Sequence, residues 1–286
     1  KRRFAIDLRD GKVRGCWRDS GHWMPPTHLI HELTGVSYEK AREMLRRGET
    51  DFEGTTAIGL LRTLSKPEKP TARPKLKKLK LPSEFSKFST RADAQQRKFV
   101  DYLRDKRGVE QPIRLAQAAK LRWCTRGDFA NRIIFPIRLH GKLYGWTSRH
   151  IGHKPRLRYR AHPEGDAMQS LVWVPRTPKP GDLLLLVEGP VDALKIMEAA
   201  PSRDFVPCAL LTNSAGDARL ETIIKLAPTG VRTGILLDRG AESMALHLQR
   251  QLSVLKPQLE LLPKGVKDPG EMSVDALNLK LWDFLS

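Results

Sequence analysis

The chain has 286 residues, 40% of them hydrophobic and 29% charged, which allows two or three domains with real cores and no bilayer-crossing apolar run. Its formal charge of +19 points to a polyanionic partner, nucleic acid first, because phosphate neutralisation supplies sequence-independent affinity. Three cysteines far apart exclude a disulfide framework and fit a reducing cytoplasm, and no secretory signal opens the chain.

Residues 4–8 alternate like a strand, Asp10-Gly11 is a hairpin turn signal, and residues 13–17 return as a second strand. Pro25-Pro26-Thr27 opens a helix to residue 33, stopped by Gly35. Ser37 N-caps another helix to residue 47, with Gly48 as its stop. Residues 1–62 thus read as a small hairpin-plus-helix unit. Residues 63–82 are rich in Lys and Pro and too poor in apolar surface to fold alone. They are expected to be a basic linker, with or without a tethering role on nucleic acid.

Residues 83–180 form a basic α+β unit. A helix over 92–107 includes Phe99, Tyr102 and Leu103 and ends at Gly108, and a shorter one covers 111–120. A strand over 132–137 turns at Gly141 and returns over 143–148. Residues 181–272 then alternate strand and helix. Strands are expected at 183–187, 209–212, 234–237 and 258–262, and helices at 191–200, 219–226 and 242–252. This is the pattern of a parallel sheet covered by helices, so the fold class is α/β within an α+β whole. Residues 273–286 close the chain with a helix over 275–285, and there is no internal repeat.

Carboxylates fall at the strand ends of this last region. Glu188 follows Leu183–Val187, Asp192 lies four residues on, Asp238 follows Ile235-Leu236-Leu237, and Asp268 comes after the final strand. Sites in open α/β sheets form beyond the carboxyl ends of strands. Acids gathered there repel one another unless a hard divalent cation joins them, and oxygen ligands suit Mg²⁺. Any one of these acids alone is an ordinary loop or cap residue. As a set they indicate a Mg²⁺ (or Mn²⁺) site for phosphoryl or nucleotidyl transfer.

These residues carry a resemblance. Glu188-Gly189-Pro190-Val191-Asp192-Ala193-Leu194 resembles the first Toprim motif, Glu-Gly-x-x-Asp-x-Leu. Leu236-Leu237-Asp238 is similar to the start of the second, Asp-x-Asp, and Lys267-Asp268-Pro269 to the third. Asn131-Arg132-Ile133-Ile134-Phe135-Pro136-Ile137, Gly141, and Tyr144-Gly145-Trp146-Thr147-Ser148-Arg149 resemble the Arg-(Val/Ile)-x-Phe-Pro-Ile…Gly…Gly-Phe-x-x-Arg stretch of bacterial and phage primases. Arg158-Tyr159 before His162-Pro163-Glu164, and Tyr102-Leu103-Arg104-Asp105-Lys106-Arg107-Gly108, are similar to further segments of that family. Residues 10–16 and 29–41 resemble the second half of a primase zinc-binding domain. Cys16 alone stands in a ligand's place, so a degenerate or truncated zinc domain is expected, and no zinc site within these residues.

The resemblance implies a Toprim-type DNA primase that joins ribonucleoside triphosphates on a single-stranded DNA template. Its partners would be a replicative helicase or other replication proteins, in the cytoplasm of a bacterial cell, phage-infected or not. Asp238 and Asp268 would bind metal, with Glu188 as ligand or general base, and Asp192 would support its loop by hydrogen bonding. Arg132, Arg149, Lys154 and Arg158 would hold triphosphate and template. Tyr159 would stack on bases, and Trp146 would either do so or fill a core. Lys264 and Lys267 are loop candidates for phosphate, while His150 and His153 make a poor metal pair beside Arg149 and Lys154.

Two departures weaken the metal set. Gly240 and Gly270 stand where the family has acids, leaving Glu242 and Glu271 as substitutes. The alternative reading is therefore a catalytically weak Toprim module that binds DNA or nucleotide within a phage or mobile-element replication complex. A Toprim nuclease or topoisomerase ranks third. A topoisomerase needs a tyrosine nucleophile, and Tyr38, Tyr102, Tyr144 and Tyr159 all lie in segments that the primase resemblance already covers.

Overall fold

The structure, a computed structural model, describes residues 4–9, 12–18, 23–24, 27, 37–47, 76–211 and 216–285. The chain divides into two units, Lys1–Ala72 and Arg73–Ser286. In the first, strands β1 (Phe4–Arg9), β2 (Lys12–Arg18) and β3 (Trp23–Met24) form an antiparallel sheet in that order, and helix α1 spans Tyr38–Arg47. Ser37 Oγ accepts the Lys40 N–H, as an N-cap does. The expected turn at Asp10-Gly11, all but Thr27 of the helix expected over 25–33, and residues 63–75 of the expected linker lie outside the described residues.

The second unit combines an antiparallel and a parallel sheet. The antiparallel sheet is ordered β4 (Ser86–Lys87), β5 (Arg122–Cys124), β6 (Arg132–Leu139), β7 (Lys142–His150) and β8 (Tyr159–His162). Strands β6 and β7 are joined by His140 and Gly141, both at positive φ (48° and 77°), the backbone that a two-residue hairpin requires. Helices α2 (Ala94–Arg107) and α3 (Pro112–Ala118) contribute Phe99, Val100, Leu103, Leu115 and Ala116 to the same core as Ile133, Phe135 and Ile137 of β6, and Phe99 stacks on Trp123 at 5.4 Å. Asp93 caps the start of α2 by accepting from Gln96 N, and Gly108, at φ 59°, ends it.

The opposite face of β6 has its own cover. Ile134 packs with Phe85, Cys124 and Trp146, and Leu79 and Leu81 lie over them. Leu79 N also donates to Leu143 O at 2.9 Å. The linker expected over 63–82 is therefore corrected at its described end. Leu76, Leu79 and Leu81 pack on cores while Lys77, Lys78 and Lys80 face solvent, so a sparse apolar pattern suffices to dock residues 76–82.

The parallel sheet is ordered β10-β9-β11-β12, with β9 at Leu183–Val187, β10 at Phe205–Ala209, β11 at Arg232–Ile235 and β12 at Gln258–Leu259. All five residues of β9 are buried, which explains its unbroken apolar run. Helix α4 (Asp166–Gln169) precedes this sheet. Helices α5 (Pro190–Ala199), α6 (Asp217–Leu226) and α7 (Glu242–Gln251) connect its strands, and α8 (Val274–Trp282) packs on α5. The strand expected at 209–212 is a correction. It runs over Phe205–Ala209, pairing with β9, and Pro207 is tolerated because β10 lies at the edge of the sheet. Ala209 forms an isolated antiparallel bridge to Trp173.

One side of α5 locks the two sheets together. The buried Lys195 donates to Gly108 O at 2.6 Å, and Glu198 accepts from Glu110 N and Gln111 N at 3.0 and 2.7 Å. An acid at the N-terminus of α3 and a cation at the C-terminus of α2 each suit the local helix dipole. On the other side, a Cβ at Gly234 would lie 2.8 Å from Phe284 Cε1, so the closing segment packs directly on the β11 backbone. Phe284→Ala is expected to lower the stability of this unit by about 3–5 kcal/mol, read by urea denaturation, because a buried ring is removed from a packed site.

Candidate active site

The parallel sheet brings the predicted acids to one end. Strands β9 and β11 are neighbours, so Glu188 and Asp238 leave adjacent strand ends, and Leu236 N donates to Leu186 O at 2.9 Å to hold them in register. Asp238 N donates to the Glu188 carboxylate. Asp192 sits in the first turn of α5 and reaches back to accept from Gly189 N at 3.1 Å, the reciprocal half of a capping box. Only glycine fits at 189, since a Cβ there would lie 2.6 Å from Asp192 Oδ2. Asp268 caps the turn Pro269–Glu271 by accepting from Glu271 N at 3.0 Å. A Cβ at Gly270 would lie 3.0 Å from Asp268 Oδ1 and 3.1 Å from Asp192 Oδ1, so these two carboxylates flank Gly270.

The acids act on one another electrostatically. Burial, then Asp192, Glu188 and Asp268, pushes Asp238 up to about 8, with Lys267 opposing. Burial, then Asp268 and Glu188, pushes Asp192 up to about 7, against the Gly189 hydrogen bond and the Arg149 charge. Glu188 is raised by burial and by Asp268, and the Asp238 N–H opposes the shift. Asp238 Oδ1 is buried with no hydrogen-bond partner.

Among the described residues, no group of three or more His, Cys, Asp or Glu side chains is disposed to hold a metal ion. Mg²⁺ does not require such a cage, because it is commonly bound by one or two carboxylates completed by waters and phosphate oxygens. The orphaned Asp238 oxygen and the unrelieved repulsion around it fit a hard cation of that kind.

A cleft of about 250 Å³ opens over Glu188, Gly189, Pro190, Asp192 and Asp238, and its other wall is Thr147, Arg149, Tyr159 and Leu211. Arg149 is buried and donates to Tyr102 Oη and Tyr159 Oη, both at 2.7 Å. The hydroxyls hold its guanidinium above its ordinary pKa against the effect of burial. A second cleft of about 240 Å³ on the far side of Asp238 is lined by Arg239, Glu242, Leu261, Leu262 and Lys264, among others.

The remaining predicted residues divide. Lys154 and Arg158 are exposed on the loop between β7 and β8. Arg132 is placed differently from the phosphate role expected of it. Its buried guanidinium donates to Leu157 O at 2.7 Å and Arg158 O at 3.3 Å, so it braces that loop from within. Trp146 is a core residue and not a base platform: it packs edge-on to Phe85 at 5.5 Å and stacks on His162 at 4.3 Å. Tyr159 lines the cleft but directs its hydroxyl to Arg149. Glu242 accepts from Gly240 N and Glu271 from Lys267 N, both at 3.0 Å, so each substitute acid is engaged in its own loop. His150 Nδ1 accepts from Gly152 N, Lys267 is exposed, and Cys16 lies in β2.

Residues outside the sequence expectation complete the site. Arg239 N donates to Lys267 O at 2.7 Å, and its guanidinium donates to the carbonyls of Leu262, Pro263 and Val266. It thereby ties the Asp268 loop to the Asp238 strand end. Tyr102 accepts from Arg149 and also from Arg107 Nε at 3.0 Å. Its place inside the second motif, between Asp238 and Gly240, is the one sequence signal for Arg239. For Tyr102, the place in the helix was visible but its partner was not.

Compared with models of protein families and with curated proteins, the sequence finds no match. Among solved structures it is similar to the primase fragment of the bacteriophage T7 primase-helicase protein, at 12% identity and a TM-score of 0.46, covering 64% of this chain and 73% of that one. It is also similar to the RNA polymerase domain of Mycobacterium tuberculosis primase in complex with double-stranded DNA, at 17% identity and a TM-score of 0.43, covering 67% and 74%. Likenesses this remote carry no residue roles.

The carboxylate shifts fix a pH dependence. Unfolded aspartates ionise near 3.8, whereas folded Asp192 and Asp238 do so near 7 and 8. Between those values the folded chain keeps protons that the unfolded chain has released, so this contribution to stability falls as pH rises through the window. Asp238→Asn is expected to melt above the parent at pH about 8 without divalent cation, with the gap closing toward pH about 5, in thermal unfolding followed by circular dichroism.

Proposed function

We propose that the chain is a Toprim-type DNA primase that makes short RNA primers on single-stranded DNA. The observation that supports this most is the cleft in which Glu188, Asp192 and Asp238 face the buried Arg149 guanidinium. An acidic wall calls for a cation and a basic wall for an anion, and a metal-bound triphosphate supplies both. The motif resemblance around Glu188, Asp238 and Asp268, with the Arg132-to-Arg149 hairpin, narrows that chemistry to nucleotidyl transfer.

In this reading Asp238 and Asp268 would hold Mg²⁺ or Mn²⁺, which when bound neutralises phosphate charge and lowers the pKa of the attacking hydroxyl. Arg149 holds the triphosphate of the incoming nucleotide. Glu188 takes the proton from the 3′-hydroxyl as its oxygen bonds to the α-phosphorus and the bond to the β-phosphate oxygen breaks, releasing pyrophosphate. Asp192 keeps the Gly189 turn in place through its hydrogen bond. Arg158 and Lys154, exposed on the loop that Arg132 braces, contact template phosphates. A replicative helicase or another replication protein is the expected partner, in a bacterial cytoplasm. No helix among the described residues is long and apolar enough to cross a membrane.

A second reading, a module that binds DNA or nucleotide with little or no catalysis, is favoured by Gly240 and Gly270 and by the engagement of Glu242 and Glu271 in their own loops. Primer synthesis on single-stranded DNA with labelled ribonucleotides separates the two. The expected result is short products with Mg²⁺ or Mn²⁺, lost in Glu188→Gln and in Asp238→Asn. Absence of product with both metals, alongside salt-sensitive DNA binding, would contradict the primase reading and favour the module.

A further inference from the structure

We infer that Tyr102, on α2, is a positioning residue for Arg149, and that the pair reads the phosphate chain of a nucleoside triphosphate. This rests on the reading of the cleft as a nucleotide site. Arg149 is 7% exposed, and its two hydrogen-bond partners among the described residues are the hydroxyls of Tyr102 and Tyr159. No carboxylate pairs with it there. A guanidinium has five N–H donors, of which Nε goes to Tyr102 and one on Nη1 to Tyr159, so three remain for a ligand in the cleft. Its hydrogen-bond partners are neutral and Asp192 acts on it only as a nearby charge, which leaves the guanidinium able to take an anionic ligand. The facing acids exclude a bare carboxylate ligand and favour an anion that brings its own metal.

Tyr102 is what aims this guanidinium. A tyrosine hydroxyl has two acceptor positions and one proton. Both positions are used, by Arg149 Nε at 2.7 Å and Arg107 Nε at 3.0 Å, with the Arg107 guanidinium also over the Tyr102 ring at 5.5 Å. Helix α2 does not need this hydroxyl to pack, since Phe99, Val100 and Leu103 supply its buried face. The hydroxyl is also fixed relative to the acids. The end of α2 is held by Lys195 on α5, the helix that carries Asp192.

The test is isothermal titration of the full chain with inorganic triphosphate plus Mg²⁺ and, separately, with a single-stranded oligothymidylate. Tyr102→Phe keeps the ring and removes the acceptor. Triphosphate affinity is expected to fall about tenfold, the order of one hydrogen bond to a charged group, while oligonucleotide affinity and melting temperature stay with the parent. Arg149→Lys, whose ammonium cannot bridge both hydroxyls, should lower triphosphate affinity at least as far even if Tyr102→Phe fails to fold. Unchanged triphosphate affinity overturns the inference, and so does a parallel loss of both ligands, which marks a merely structural role. A parent that makes primers while Tyr102→Phe binds triphosphate normally defeats this inference alone. A parent that binds no triphosphate defeats it together with the nucleotide reading.

Discussion

Carboxylates gathered at one partly buried cleft must be protonated, kept apart, or joined by a cation, because burial strengthens every repulsion among them. Glu188, Asp192 and Asp238 are in this position, each pushed upward by its neighbours, and Asp268 adds to the pressure on all three. The surrounding structure is arranged to keep the group together despite that cost. Gly189 leaves room for the Asp192 carboxylate, the Asp238 N–H is given to Glu188, and Arg239 ties the Asp268 loop to the end of β11. In the proposed reading a divalent cation would relieve this repulsion, and the buried Asp238 Oδ1 without a hydrogen-bond partner is the least satisfied oxygen of the group.

Neither sheet builds the cleft alone. The acids come from the parallel sheet, while Thr147, Arg149 and Tyr159 come from the antiparallel one. What fixes the distance between the walls is α5, whose first turn holds Asp192 and whose later turns grip the α2–α3 elbow through Lys195 and Glu198. The antiparallel sheet contributes rigidity in turn, because β6 is buried on both faces and Arg132 pins the loop that presents Lys154 and Arg158. A mobile wall would waste binding energy on ordering, so a clamp of this kind suits a site that must align two charged reactants.

Much of the parallel half was readable from residue order. Unbroken apolar runs followed by an acid and then a Gly identify β9 and the end of β11, and Asp192, four residues beyond Glu188, falls in the first turn of the helix that follows. Strand β10 was displaced in the reading because Ala-Leu-Leu is more strand-like than Phe-Val-Pro-Cys, and only pairing with β9 selects the latter. The docking of Leu76, Leu79 and Leu81 is not legible in the sequence because a few leucines among lysines acquire meaning only once β6 exposes a second apolar face. The basic residues show the same limit. Arg132 and Arg149 sit in one motif, yet the first turns to backbone carbonyls and the second to the cleft. Residue type forecasts the capacity to bind phosphate, whereas direction depends on partners distant in the chain, such as Tyr102 for Arg149.

Cation binding at the acidic wall is proposed to precede and to be separable from any catalysis by the chain. Electron paramagnetic resonance of Mn²⁺ titrated into the parent protein, and into Asp238→Asn and Asp268→Asn, addresses that directly and needs no turnover. Saturable binding by the parent, strengthened by added triphosphate and weakened in both variants, is the predicted result. Mn²⁺ that stays free in the presence of the parent, or that binds equally well to both variants, would contradict it.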